Sequence, residues 1–586
     1  MSAGCGSLAS RMIEQPALSD SRRLPGPNRI MDGVGVVLDV QLPEALAAAL
    51  ITSWTGYARG MLDEFGWSGE RQHVLRFQGG ASLAFTAPID VLFAATEINE
   101  WAWAAAVADA GGPAAEDRVA ALARIQALVA AEGSPRLQAL GDAARAHGVA
   151  LLADDELITV GMGSGSRTFP VAALPAPGDI AWSAVHDVPT ALVTGSNGKT
   201  TTVRLLAAML RADGRHPGWS STDGVLIDGE RIVEGDYAGP EGARLVLRDP
   251  RIDAAVLETA RGGILRRGLA VTRADVAVIT NVAADHFGEF GVNDLAALAA
   301  TKFVVAKAIG VAGRVVLSAE DSLLVAGSGQ VAAPIAWFSL DPGNEIMRRA
   351  LAAGGTGATI EDSWFILQCG GERVPLLRVD DAPLTLNGSA RHNVANALAA
   401  SLAAWCLGCA PEAIRGALAT FGQRNADNPG RANLYELDGV RILLDYAHNP
   451  HGMEALASIA RALPGGRRAL VLGQAGDRDD DAIRGLARSA WPIDIDHVFL
   501  KEMEAYRRGR APGEIPGLMA DEFRRLGLAE AAIEFADSEV AAVENALRWA
   551  REGDLLVLTV HSSRAEVLEL LQAGGARQMR WAGTTV

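Results

Sequence analysis

Val193-Thr194-Gly195-Ser196-Asn197-Gly198-Lys199-Thr200-Thr201-Thr202 follows the apolar stretch Ala191–Thr194 and precedes the amphipathic run Val203 to Leu210. A strand, a glycine-rich turn and a helix in that order form a phosphate-binding unit. The glycines let backbone N–H groups close around phosphate oxygens, and the helix start adds positive potential. Lys199 is expected to reach the β- and γ-phosphates, and the Thr200 hydroxyl to bind magnesium. Gly195, Asn197, Gly198 and Thr201 complete the expected cradle. Val193 stands where the general nucleotide-loop pattern has its first glycine, so the generic match is imperfect. A turn that merely capped a helix would leave Lys199 and the threonines after it unexplained.

Working outward, apolar strands alternate with helices, the signature of a mostly parallel, doubly wound sheet. Strands are read at Ala191–Thr194, Ala254–Leu257, Val276–Thr280 and Val315–Leu317. After a helix near 394–406 and a loop at Pro429-Gly430, a second α/β series has strands at Arg441–Leu444, Ala469–Leu472, His497–Leu500 and Leu555–Val560. Pro175, Pro177 and Gly178 mark a linker ahead of the first series. Before it lies an α+β unit opening with a strand in which Val34, Val36, Leu38 and Val40 share one face. Its Gly161-Met162-Gly163-Ser164-Gly165-Ser166-Arg167 is read as a hairpin turn, because no helix follows it. The fold class is therefore α/β. The expected layout is a flexible tail at 1–30, an N-terminal α+β domain at 31–175, a central nucleotide-binding domain at 185–425 and a C-terminal Rossmann-like domain at 430–586.

Composition bounds the function. The formal charge is -17, from 53 basic and 70 acidic residues, which argues against nucleic acid or an anionic membrane as the main partner. No run of about 18 apolar residues is present, so no membrane span is expected. The 4 cysteines are too few for a disulfide scaffold and fit a reducing cytoplasm. Cys406 and Cys409 form a CxxC without a second half-site, and are read as small apolar helix residues. Homo-oligomerisation stays open.

The variant T-G-x-N-G-K-T-T resembles the phosphate loop of Mur ligases and folylpolyglutamate synthetases. That resemblance implies a Mur-type P-loop ATPase domain with a parallel sheet and a C-terminal Rossmann-like domain. It also implies ATP and Mg2+ as cofactors, and activation of a carboxylate as an acyl phosphate before an amine attacks. Downstream segments fit the same pattern in family order. Glu258, in Leu257-Glu258-Thr259, matches a magnesium-binding carboxylate. His286, in Asn281-Val282-Ala283-Ala284-Asp285-His286, matches a histidine facing the metal. With Thr200 they would form a mixed oxygen and nitrogen shell. Lys302 lies near the place where many Mur ligases carry a carbamoylated, metal-binding lysine, with Lys307 as competitor and a solvated helix-face lysine as the plain alternative. Arg391-His392-Asn393-Val394-Ala395-Asn396 resembles a helix start that contacts adenine, through His392, Asn393 and Asn396. Arg431 matches the arginine at the domain junction, and Asp445-Tyr446-Ala447-His448-Asn449-Pro450 the strand end whose Asp445 and His448 close over nucleotide. The resemblance assigns catalysis to Lys199, His286, Lys302 and Arg431.

One branch fits further. Thr222-Asp223-Gly224, Leu257 to Leu269, Gly476-Asp477-Arg478 and Arg508-Gly509-Arg510 resemble the Mur-ligase half of cyanophycin synthetases, from about residue 190 onward and more weakly around Glu97 to Ala106. Thr222, Asp223, Arg261 and Arg267 are thereby candidates for an acidic acceptor, and Arg478 and Arg510 for the carboxylate of an incoming amino acid. Two departures stand out. The stretch from about 140 to 188 is too short for the ATP-grasp domain that branch carries, so the aspartate-polymerising reaction is expected to be absent. Ser318-Ala319-Glu320-Asp321-Ser322 replaces the usual N-A-D-D-P. The expected activity is an ATP-dependent amide ligase using a small-molecule amino acid and a carboxylate or acidic peptide acceptor. The alternatives are a nucleotide-binding, non-catalytic partner of a cyanophycin-type synthetase, and an acid kinase.

Overall fold

The computed structural model describes residues 15–285 and 287–579. At its centre is an 11-stranded sheet. Its parallel middle runs in the order Pro217–Ser221, Ala254–Glu258, Thr190–Thr194, Ala274–Ile279, Ile309–Ser318, Ile335–Ser339 and Thr356–Glu361. Antiparallel hairpins close both edges, Gly224–Ile227 with Glu230–Val233 and Trp364–Cys369 with Glu372–Arg378. Ala191, Val193, Val256 and Val278 pack under the helices Lys199–Ala212 and Arg391–Cys406. Leu192, Leu257, Ile279 and Leu317 face the helix Pro240–Arg248 and the turn Phe303–Ala308. Burial of both faces is why these strands read as continuous apolar runs rather than as alternating ones.

The strand Thr190–Thr194 lies between Ala254–Glu258 and Ala274–Ile279. Its carboxyl end therefore brings Gly195, Glu258 and Thr280 to one crevice, the usual ligand position of an open α/β sheet.

The C-terminal sheet is 7-stranded, in the order Ile533–Ala536, His497–Lys501, Arg468–Leu472, Leu555–Thr559, Val440–Asp445, Asn433–Leu437 and Arg577–Gln578. The strands up to Val440–Asp445 are parallel, and the last two pair antiparallel. Helices Pro450–Ala462, Asp480–Ala490 and Glu514–Leu526 cover one face, and Glu539–Trp549 and Arg564–Ala573 the other.

The N-terminal sheet corrects one expectation. Ala17–Leu24, read as loose tail, is a strand paired antiparallel with Gly35–Gln41 from Ala17 opposite Gln41 to Leu24 opposite Gly35. Leu24 is buried with Met31, Val37 and Ala84. Arg22 is 8% exposed and donates to Asp39 and to the Leu265 carbonyl of the central domain. The polar run Ser19 to Arg23 hid this strand, because its charged side chains are consumed by tertiary partners. The Gly161–Arg167 stretch joins the antiparallel strands Leu157–Val160 and Arg167–Pro170, as a hairpin requires. Cys406 and Cys409 are free thiols pushed up to about 12 by burial, which makes them inert. Among the described residues no helix is long and apolar enough to cross a membrane.

Candidate functional site

The phosphate loop is built by close approach. Gly195 has φ 148° and a Cβ there would sit 1.8 Å from Thr280 Oγ1, while Gly198 has φ 85° and would meet Asn396 Oδ1 at 2.1 Å. Side chains larger than hydrogen are thus excluded twice over, by sterics and by the left-handed backbone. The neighbouring strand end braces the loop. Asn197 N donates to Asn281 Oδ1 at 3.0 Å, and Thr280 Oγ1 to the Asn197 carbonyl at 2.6 Å. Lys199 Nζ folds back over the loop, donating to the carbonyls of Gly195 at 3.1 Å and Ser196 at 3.2 Å. Those are bonds a phosphate oxygen can replace.

Beside the loop lies an oxygen-rich corner. Thr200 Oγ1 donates to Glu258 Oε2 at 2.9 Å and lies 3.2 Å from Thr222 Oγ1. Glu258 is 1% exposed, and among the described residues its Oε1 has no hydrogen-bond partner. Burial raises its pKa, against the pull of Lys199 and of the Thr200 hydrogen bond. A buried carboxylate oxygen without a partner, next to a hydroxyl, suits a hard divalent cation whose remaining ligands are phosphate and water. No group of three or more His, Cys, Asp or Glu side chains that could hold a metal is present among the described residues. His286, the third expected ligand, lies outside the described residues. Lys302 is 3% exposed at the end of the helix Leu295–Lys302. Burial, with the charge of Lys199 adding to it, pushes its amine well below the ordinary lysine range.

The C-terminal domain closes on this corner. Asn197 Nδ2 meets His451 Nδ1 at 2.9 Å, and Asn449 Nδ2 donates to Asn197 Oδ1 at 3.0 Å. Asn449 also caps the helix Pro450–Ala462 through Gly452 N, so that helix start sits at the phosphate loop. Asp445 accepts from Ala432 N and Ala447 N, each at 2.7 Å. Arg431 lies 4.2 Å over the Tyr446 ring. His392 faces the same space, pushed down to about 4 by burial and by His451, so it is a neutral ring suited to stacking. A single cleft of about 1960 Å³ runs between these elements. It is about twice the size of an ordinary one-ligand pocket. Every residue singled out for nucleotide, metal or substrate lines it, apart from Arg510 and the undescribed His286.

Residues 193–404 match the Mur ligase middle domain, and residues 430–560 the Mur ligase glutamate ligase domain. The chain carries a Mur ligase core. Cyanophycin synthetase of Crocosphaera subtropica is 40% identical over 375 residues, which are 63% of this chain and 42% of that one. The UDP-N-acetylmuramate–L-alanine ligase of Xanthomonas campestris pv. campestris is 28% identical over 376 residues, 62% of this chain and 70% of that one. The E. coli FolC structure in complex with ADP aligns with a TM-score of 0.49 at 21% identity, covering 66% of this chain and 90% of that chain. The chain thus spans about two fifths of the cyanophycin synthetases it matches. Mur ligases and cyanophycin synthetases are ATP-dependent carbon–nitrogen ligases.

Within this Mur ligase core several expected contacts are rearranged. Asp223, a candidate for substrate, is 6% exposed between Arg204 and Arg564. Burial alone would raise its carboxyl, but Arg431, Arg564 and Arg204 together hold it below the usual range. Arg478 donates to Asp285 at 3.0 Å, and Arg261 to Glu289 at 2.5 Å. Arg510 stands off the cleft, binding the carbonyls of Gly476 and Arg478 and the carboxylates of Asp480 and Glu514. These bonds tie it to the Arg478 loop and to the start of the helix Glu514–Leu526. Arg508 does line the cleft. Among the described residues its guanidinium has no ion pair and sits 5.8 Å over Tyr506, on a backbone with φ 51°. Asn393 spends its amide on the Leu384 carbonyl at 3.1 Å, so it braces the wall it was expected to present. The altered segment Ser318–Ser322 is integrated into the fold: Asp321 accepts from Val282 N at 2.6 Å and caps the helix Ser322–Gly327.

Sequence reasoning missed His451, Arg564 and His561. His561 takes a proton donor from Lys501 on Nδ1 at 3.2 Å, so its Nε2 carries the hydrogen and donates to the Ala447 carbonyl at 3.1 Å. Burial, with Lys501 beside it, keeps this ring neutral. No local pattern marks these side chains, because each acts across a boundary between elements far apart in sequence.

Proposed function

We propose that this chain is an ATP- and divalent-metal-dependent carboxylate–amine ligase. The γ-phosphoryl group passes to an acceptor carboxylate, an amino-acid amine then attacks the acyl carbon, and ADP and phosphate are released. The supporting observation is the convergence in one cleft of the phosphate loop, the unpartnered Glu258 oxygen, the buried Lys302 and the junction Arg431. Lys199 gives up its loop carbonyls to hold phosphate oxygens, and Arg431 adds charge where it develops on the phosphoryl group. Thr200 and Glu258 would hold a magnesium ion, which supplies charge neutralisation between phosphates. Lys302, whose amine burial shifts toward the unprotonated form, is fit to add carbon dioxide through its nitrogen and release a proton to solvent, which leaves an anionic carbamate. Arg22, Arg244, Arg266 and Arg267, which line the same cleft, favour an acidic peptide or aspartate-derived acceptor.

The test is ADP release across a panel of carboxylates and amines, including aspartate-containing peptides with arginine or lysine, with product identified by mass. ATP turnover without an amide under any pairing would end this reading. Tight ATP binding with no hydrolysis beside a partner synthetase would favour the non-catalytic role instead.

A further inference from the structure

Between the two Mur domains, the linker side chain of Asn428 is buried against the helix that follows the phosphate loop. Asn428 is 3% exposed, and its Nδ2 donates to Thr201 Oγ1 at 3.1 Å. Thr201 is 4% exposed in the first turn of the helix Lys199–Ala212. The hydroxyl expected to face nucleotide is therefore tied to the linker. On its other side the Asn428 carbonyl accepts from Asn433 Nδ2 at 3.0 Å and from Arg431 N at 3.3 Å. Asn433 Oδ1 in turn accepts from Gly430 N at 2.6 Å. Arg431 is flanked by Gly430 at φ 71° and Ala432 at φ 53°. A left-handed alanine is strained and persists only where its surroundings over-determine it. Here Asp445 holds Ala432 N at 2.7 Å. The backbone that carries Arg431 is thus fixed on both sides, by Asn428 before it and by Asp445 after it.

We propose that Asn428 is a positioning residue. Its hydrogen bond to Thr201 registers the linker on the phosphate loop, and so sets where the Arg431 guanidinium lies relative to the transferred phosphoryl group. This rests on the ligase reading above. The remaining oxygen of the amide argues that the residue is kept for this bond: Asn428 Oδ1 is buried and has no partner among the described residues. An apolar residue of like volume would avoid that desolvation cost.

The experiment is steady-state kinetics on the full chain. Asn428→Leu keeps volume and removes the donor. Its kcat should fall about tenfold or more, because small misplacements of catalytic groups are expensive, while KM for ATP stays within about twofold. Thr201→Val removes the acceptor, should lower kcat as Asn428→Leu does, and carries the test if that variant does not fold. Combined, Asn428→Leu and Thr201→Val should be no slower than the slower single variant, since both remove one bond. Multiplicative losses, or an unchanged kcat in Asn428→Leu, would overturn the proposal. Arg431→Ala separates the two levels. If it is inactive while Asn428→Leu is normal, only the positioning role falls; if it turns over normally, the role given to Arg431 falls with it.

Discussion

Asp223 Oδ1 of the central domain lies 2.7 Å from Nη1 of Arg564, the first residue of the C-terminal helix Arg564–Ala573. Arg204 holds the other oxygen at 3.0 Å from within the central domain. A buried carboxylate between two guanidinium groups adds little net stability, but removing it strands both cations. Because one cation belongs to the other domain, the pair exists only when the domains are together.

Arg564→Met should therefore open the molecule and leave the Asp223–Arg204 pair intact. Small-angle scattering should show a larger radius of gyration than wild type, and scattering identical to wild type would deny the pair any role in closure. Asp223→Asn should instead destabilise the fold by about 3–5 kcal/mol in urea denaturation, since it leaves Arg204 buried without its partner.

Lys199→Ala removes charge from the phosphoryl site without removing core. Its kcat should fall by about 10²–10³, with the melting temperature nearly unchanged. Unchanged turnover would show that the reaction does not use this loop.

Glu258 sets a pH dependence whose sign is worked out from its environment. Burial raises its folded pKa above the ordinary 4.5, so the folded state holds the proton more tightly than the unfolded chain. Its contribution to stability is full below 4.5 and is lost as pH rises through the folded value. Metal-free wild type should therefore lose stability relative to Glu258→Gln over that window. In the presence of ATP and magnesium the order should reverse, because only wild type gains the metal. Parallel melting curves for the two metal-free proteins would contradict this.

Lys302 should make activity depend on carbon dioxide, because burial lowers its amine well below the ordinary lysine range and so favours the unprotonated form that reacts. Turnover should drop in degassed buffer and return with bicarbonate, and Lys302→Arg should be inactive under both conditions. Activity indifferent to bicarbonate would leave Lys302 a structural amine.

Arg508 and Arg510 should separate in kinetics. Arg508→Gln should raise KM for the amino acid about tenfold or more, and leave that for ATP unchanged, as loss of a carboxylate contact predicts. Arg510→Lys should weaken the Arg478 loop instead, raising KM through loss of order that a thermal melt also detects. Equal effects of both variants on ATP and amino acid would remove Arg508 from the amino-acid site.

The phosphate loop, the central strands and the order of the family segments were legible in the sequence because each depends on neighbours along the chain. Gly195 and Gly198 must be glycine for local backbone reasons, and a doubly buried strand such as Thr190–Thr194 announces itself by composition. The strand Ala17–Leu24 was not legible, since Arg22 finds Asp39 and Leu265 only after the chain has folded. The partners of Asp223, Arg510 and Thr201 were likewise set by the tertiary structure. An arginine or a threonine offers the same donors wherever it stands, and whether they meet a ligand or another side chain depends on partners far away in sequence, as with Thr201 and Asn428. Sequence by itself therefore determined the nucleotide-binding chemistry, which is local. The assignment of each charge to substrate, metal or domain contact belongs to long-range packing, which only the three-dimensional arrangement decides.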